Sequence, residues 1–231
     1  MDLSLNDFYD NLLNGINARV LGKKTDSYDI LTIANINAAF ESAKYYCEKM
    51  NKAVSYENDL ALLKHALEIR EVEGQILEFG VASGRTINYI SSLVEQKVYG
   101  FDVFTGLPET WRTGFSAGFF GRQTLPPVNK NVELVVGLFE DTLDAFLGSN
   151  NKQISLLHVD CDLYAGTKTI FDKLGDLINP GTVIVFDEYF NYPGWSQHEY
   201  LAFKEFVECR KVKYRYDSFV SSHQQVCVVI E

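Results

Sequence analysis

Four carboxylates stand in positions where they could do chemistry together: Asp160, Asp162, Asp187 and Glu188. The first two close the run ISLLHVDCD and the others close TVIVFDE; in both, a short apolar segment of the kind that forms a buried strand precedes the acids. Residues two apart in extended backbone point the same way, so Asp160 and Asp162 can face one site. Like charges so close repel at neutral pH unless a cation or shared protons compensate. An all-oxygen set without His or Cys suits Mg2+, Mn2+ or Ca2+ better than zinc. The plainer alternative is solvated acids at strand ends that help to cap the next helix. His158, inside the first run, reads as a packed core residue rather than a ligand.

A second constellation runs from Gln75 to Asp102, QILEFGVASGRTINYISSLVEQKVYGFD. Its apolar opening fits a buried strand, Gly80 and Gly84 bracket a turn of small residues, and Thr86 to Val94 has helical spacing. Glycines there let the backbone approach a ligand and leave helix N-terminal N–H groups free for an anionic group. Asp102, about twenty residues beyond the turn at a neighbouring strand end, can accept ribose hydroxyls. The closely spaced glycine pair of the dinucleotide fingerprint is missing. A nucleoside with a smaller anionic end fits better, such as S-adenosylmethionine with its carboxylate.

These residues need a sheet to hold them. Strands are expected at Ile76 to Phe79, Lys97 to Phe101, Val132 to Val136, Ile154 to Val159, Thr182 to Phe186, Lys213 to Val220 and Gln224 to Ile230, with helices between most of them. The short link between the last two makes them antiparallel neighbours. The expected fold is α/β: a doubly wound, mostly parallel seven-stranded sheet with an antiparallel C-terminal strand. Ligands of such sheets sit outside the carboxyl ends of the strands, where Gly80, Asp102, Gly137, Asp160 and Asp187 all fall. Residues 1–73 show no convincing strand and are expected to form a helical extension or lid on the domain of residues 74–231. Between Asp102 and Lys130 lies an irregular segment rich in Gly, Pro and aromatics. Trp111, Phe115, Phe119 and Phe120, with Tyr192, Trp195 and His198 from a later segment, are candidates to wall an acceptor pocket.

The composition, 46% hydrophobic and 23% charged, is that of a globular chain with a substantial core. A net charge of -10 argues against nucleic acid as a partner. No apolar run approaches the roughly 20 residues that span a bilayer, and the acidic N-terminus is unlike a secretory signal. Cys47, Cys161, Cys209 and Cys227 have no metal-site spacing, so they are expected to be reduced thiols of a cytoplasmic protein.

Five stretches, ILEFGVASGRT, FDVFTGLPE, VELVVGLFEDTL, LLHVDCDLYAGTKTIFDKL and PGTVIVFDEYF, resemble the macrocin O-methyltransferase family in content and order. The resemblance covers roughly residues 74 to 207. It implies a class I S-adenosylmethionine-dependent, Mg2+-dependent (or Mn2+-dependent) O-methyltransferase of small hydroxylated molecules, such as sugars of antibiotic pathways. It implies a cofactor loop at Glu78, Gly80, Ser83 and Gly84, ribose binding at Asp102, and an adenine site at Phe139 and Glu140. Asp160, Asp187 and Glu188 match metal ligands, and Asp162 the base. Two departures matter: Asp187-Glu188 replaces a double aspartate, and Gly166 stands where many members have a small hydroxyl residue. Homo-oligomerisation is left open by the resemblance.

Three rivals come from other classes. Asp160-Cys161-Asp162 resembles the strand-end Asp-x-Asp of haloacid dehalogenase phosphohydrolases, whose first Asp is a nucleophile. Those enzymes have no use for the glycine turn or Asp102. A non-catalytic nucleoside-binding module would have no reason to keep four mutually repelling carboxylates. An NAD-dependent oxidoreductase is weakened by the missing glycine pair.

Overall fold

Among the described residues eight strands are interleaved with helices, except that the third leads to the fourth and the seventh to the eighth without one. They are β1 (Val54–Tyr56), β2 (Gln75–Phe79), β3 (Val98–Asp102), β4 (Val132–Val136), β5 (Ile154–Val159), β6 (Val183–Phe186), β7 (Tyr214–Val220) and β8 (Val226–Ile230). The helices are α1 (Ile30–Tyr45, with a π-turn over Tyr46–Met50), α2 (Asp59–Glu68), α3 (Arg85–Ser92), α4 (Phe139–Ser149), α5 (Tyr164–Leu174) and α6 (Glu199–Arg210). This computed structural model describes Gly15 and residues 28–231. The described residues up to Ile36 and residues 37–231 belong to two compact units. In the first, Asp29 caps the start of α1, its Oδ1 accepting from the Leu31 N–H at 3.0 Å. The rest of the expected N-terminal extension before residue 28 lies outside the described residues.

In the second unit the sheet order is β1-β7-β8-β6-β5-β2-β3-β4. All pairs are parallel except those of β8, which runs antiparallel to both β6 and β7. The expected doubly wound sheet is present, one strand wider than the sequence suggests. The addition, β1, pairs with β7 at the edge of the sheet. Three residues are too few for an alternation pattern to show, so this strand could not be read in advance. Among the described residues no helix is long and apolar enough to cross a membrane.

The two-residue period of the strands sorts their side chains into two cores. Ile76, Leu156, Val183, Val185, Cys227 and Val229 face one side and pack with Leu62, Leu63 and Ala66 of α2 and Ile87 and Ile90 of α3. Leu77, Phe79, Leu157, Val159, Ile184 and Phe186 face the other and pack with α4, α5 and α6 through Phe146, Phe171 and Phe203. Helix α2 starts cleanly because Asn58 accepts from the Ala61 N–H at 2.9 Å. On the second face the hydroxyls of Tyr45, Tyr189 and Tyr214 converge on that of Tyr216, so the buried phenol of Tyr189 and its half-buried neighbours keep their hydrogen bonds.

Candidate active site

The carboxyl ends of β2 to β5 open onto a cavity of about 460 Å³, a size suited to a small molecule. Gly80, Asp102, Phe139 and Glu140 line one part of it, and Asp160 and Asp162 another. No described residue of the segment before β2 lines it.

Gly80 turns the chain out of β2 with φ +94. A Cβ there would stand 1.6 Å from the carbonyl oxygen of Asp160, so the β5 end excludes any side chain. The reason for this glycine is therefore close packing of two strand ends; ligand approach alone would not require it. Asp102 secures the turn. Its Oδ2 accepts from the N–H groups of Val81 and Ala82 at 2.9 and 2.8 Å. Its Oδ1 accepts from the Phe104 N–H at 2.6 Å. The remaining loop residues singled out by sequence lie off the cavity. Glu78 is fully buried in the sheet, where Thr86 Oγ1 donates to Oε1 at 3.1 Å and His158 Nδ1 lies 3.0 Å from Oε2. Ser83 is exposed, and Gly84, left-handed at φ +78, is covered by Pro126 and Pro127. Phe139 and Glu140 open α4, with the Phe139 ring edge-on to Phe79 at 5.0 Å. A Cβ on Gly166 would lie 3.3 Å from the Phe139 ring, so the missing side chain leaves room on the cavity wall.

Asp160, Asp187 and His158 bring one ligand atom each to within 4.8 Å of one another. Glu188 is not a member of that group; it is buried nearby, and its Oε2 has no partner. His158 is wholly buried, as expected of a core residue. Its Nε2 nevertheless lies without a hydrogen bond 4.0 Å from Asp187 Oδ1, while Nδ1 meets Glu78. Burial pulls the His158 pKa down, but the hydrogen bond and charge of Glu78, with Asp187 beyond, outweigh it and leave the pKa raised. Asp187 is held by Gln225, whose Nε2 donates to Oδ1 at 3.0 Å. Asp162 is 6% exposed and adopts left-handed backbone at φ 65, a costly conformation for an aspartate.

Glu199, at the start of α6, was legible only as a first-turn acid. The fold buries it completely and gives it three backbone donors. Its Oε1 accepts from the N–H groups of Cys161 and Asp162 at 3.3 Å each, and Oε2 from that of Glu188 at 3.1 Å. One carboxylate thus ties the β5 loop to the β6 loop. Burial, reinforced by neighbouring acids, raises the pKa of Asp160, Glu188 and Glu199 well above the ordinary range. Burial and then Asp187 push Asp162 up to about 7, against the opposing pull of Arg112. A buried cluster of this kind retains protons unless a cation takes their place.

The aromatic candidates separate. Phe120 lines the cavity, and Phe119, 42% exposed, packs edge-on against it. Trp195 belongs to the core, with its ring against Tyr45 and Tyr200 at 5.6 and 4.9 Å. Trp111, Tyr192 and His198 form a second group beside the carboxylates, with the Arg112 guanidinium 3.9 Å from the Trp111 ring and 4.6 Å from the Tyr192 ring. Arg112 was missed; the available signal was a basic residue flanked by aromatics in a loop rich in them.

Residues 77–189 match a family model described as a methyltransferase domain. No curated protein matches the chain in sequence. Among solved structures the chain is similar to the calicheamicin methyltransferase CalS11, with TM-score 0.62 and 20% identity over 99% of this chain and 94% of that one. An apo structure of CalS11, described as a TDP-rhamnose 3'-O-methyltransferase, gives 0.55 and 20% over 91% and 98%. The O-methyltransferase NovP gives 0.57 and 17% over 74% and 78%. At these identities the likeness is one of fold. Residues 77–189 are thus similar to a methyltransferase domain, and the sheet that holds them is similar in fold to those of CalS11 and NovP.

Proposed function

We propose that this chain is an O-methyltransferase of the macrocin type, moving a methyl group from S-adenosylmethionine to a hydroxyl of a small hydroxylated molecule with the help of Mg2+ or Mn2+. The observation that carries this is the single cavity running from Asp102, Phe139 and Glu140 to Asp160 and Asp162. S-adenosylmethionine supplies an activated methyl on a sulfonium, so positioning accounts for much of the acceleration.

Phe139 and Glu140 flank the adenine. Three of the roughly four lone-pair sites of the Asp102 carboxylate are engaged by the loop N–H groups. That leaves capacity for one ribose hydroxyl rather than two. Glu78, Ser83 and Gly84 act by shaping the loop from behind, since none of them faces the cavity.

The donor set fits a divalent cation: buried like charges, an unpartnered Glu188 oxygen, and three ligand atoms already clustered. Asp160, Asp187 and Glu188 are the carboxylates that would hold it, and His158, pinned by Glu78, presents Nε2 to the same point. A bound cation lowers the pKa of an acceptor hydroxyl. Asp162, at the cavity wall beside that cluster, takes the proton as the methyl is transferred. Because CalS11 is described as acting on TDP-rhamnose, a sugar or glycosylated metabolite is the acceptor class we favour.

Calorimetry with S-adenosylhomocysteine and with NAD, run separately, tests the cofactor: the first should bind and the second should not. Methyl transfer from labelled S-adenosylmethionine to a panel of sugars should stop in chelator while S-adenosylhomocysteine still binds. Asp162→Asn should lower kcat by roughly 10²–10⁴-fold at undiminished metal affinity. NAD binding, or full turnover in chelator, would overturn the assignment.

A further inference from the structure

We propose that Arg112 is the anchor for an anionic group, a phosphate or a carboxylate, carried by the methyl acceptor; this rests on the methyltransferase reading above. The guanidinium carbon lies 3.9 Å from the ring centre of Trp111, 4.6 Å from that of Tyr192 and 4.9 Å from that of Phe115. Rings around a guanidinium take up its flat faces and leave its N–H edge for hydrogen bonding, the geometry suited to a two-oxygen anion.

That edge is unused. Among the described residues Arg112 forms no ion pair, and its Nε is buried without a hydrogen-bond partner. The chain has 31 acidic and 21 basic side chains, so carboxylates are in surplus. Arg85, Arg210 and Arg215 each have one. Two further nitrogens of the same cage share this condition, Trp111 Nε1 and His198 Nδ1. The His198 ring lies 6.3 Å from the Trp111 ring and 6.4 Å from that of Tyr192. Buried polar nitrogens left dry are costly, and three together, one of them the cation's own, point to a ligand rich in oxygen.

The cage adjoins the carboxylates: Tyr192, one of its walls, donates its hydroxyl to the Glu188 carbonyl oxygen at 3.4 Å. Arg112 feels the charges of Glu188 and Asp162, and it pulls the Asp162 carboxyl downward. It therefore stands near Asp162, the proposed base. Neither acid closes an ion pair with it. An acceptor held there by an anionic group would place a hydroxyl near Asp162, and the arginine would offset the repulsion that an anion meets among so many carboxylates.

The test uses the full chain with Mg2+ and three matched probes: a hexose, its 1-phosphate and its uronic acid. Trp111 and Trp195 are the chain's two tryptophans, so in a Trp195→Phe background the indole in contact with Arg112 reports binding by fluorescence. One of the anionic probes should bind about ten-fold or more tightly than the neutral hexose, and whichever does so identifies phosphate or carboxylate. Arg112→Ala should erase that advantage, and Arg112→Lys, which keeps the charge without the fork, should retain part of it. Equal affinity for the three probes, no saturable response to any, or a preference that survives Arg112→Ala would overturn the proposal. The titrations are run both with and without S-adenosylhomocysteine, whose own binding is measured by calorimetry. Failure of that binding strikes the methyltransferase assignment, while the probe preference judges Arg112 separately.

Discussion

Without a divalent cation, the carboxylate cluster should make the fold less stable as pH rises from about 4 to about 7. Asp162 moves from 3.8 in a free chain to about 7 when folded, through burial and then Asp187. The folded form thus binds that proton more tightly than the unfolded form does. Its contribution is fully present below the unfolded value and disappears as pH climbs through the folded one. The difference between 3.8 and about 7 corresponds to about 4 kcal/mol, a large part of the total stability of a domain. Other carboxylates act in the opposite sense: against the opposing effect of burial, Arg85 holds Asp59 low, and Arg215 with His65 holds Asp217 low. The comparison variant Asp162→Asn, which cannot titrate, cancels their effect. In chelator, the unfolding free energy of the wild type minus that of Asp162→Asn should fall by up to about 4 kcal/mol across this window, measured by urea unfolding at a series of pH values. Mg2+ or Mn2+ at about a hundred times its dissociation constant should return about 2.7 kcal/mol at neutral pH, or roughly 5–10 °C in Tm. A difference that stays flat or grows with pH, with no response to metal, would refute the reasoning.

Gly80→Ala should cripple folding rather than merely weaken cofactor binding, because its Cβ would stand 1.6 Å from the Asp160 carbonyl oxygen. Yield and thermal unfolding without any ligand decide this, and a normally stable variant with only cofactor affinity lost would contradict it. Glu199→Ala should cost about 3 kcal/mol or more by leaving three buried N–H groups unpaired, and Glu199→Gln less, since one oxygen acceptor remains. Metal affinity should drop in both variants while S-adenosylhomocysteine affinity holds. Unchanged metal binding in Glu199→Ala would show that the two loops keep their places without it.

Much of the sheet was legible because its strands are buried on both faces and bounded by turns. Val183–Phe186 is a continuous apolar run and Ile154–Val159 is one broken only by Ser155 and His158; acids close both, and the strand ends that carry chemistry followed from them. The direction of β8 was forced by the brevity of the link at Ser221-Ser222-His223. What could not be read was the burial of polar groups through contacts distant in sequence. Glu78 finds His158 eighty positions away, and Glu199 finds Cys161 thirty-eight away. Trp195 and Trp111 have the same residue type in similar loops, yet one fills the core and the other stacks on an arginine. Nothing in local spacing separates them, because tertiary packing makes the choice.

The three amides gathered by Asp102 have a kinetic consequence. A glycine turn usually has to settle around its ligand, but here the loop conformation is already held by the carboxylate at the end of β3. The N–H groups of Val81 and Ala82 should therefore exchange slowly with solvent deuterium even in the ligand-free chain. An entering nucleoside would meet a preformed surface, with no ordering step to slow association. Residence time, rather than capture, would then be what sequence changes around this loop adjust.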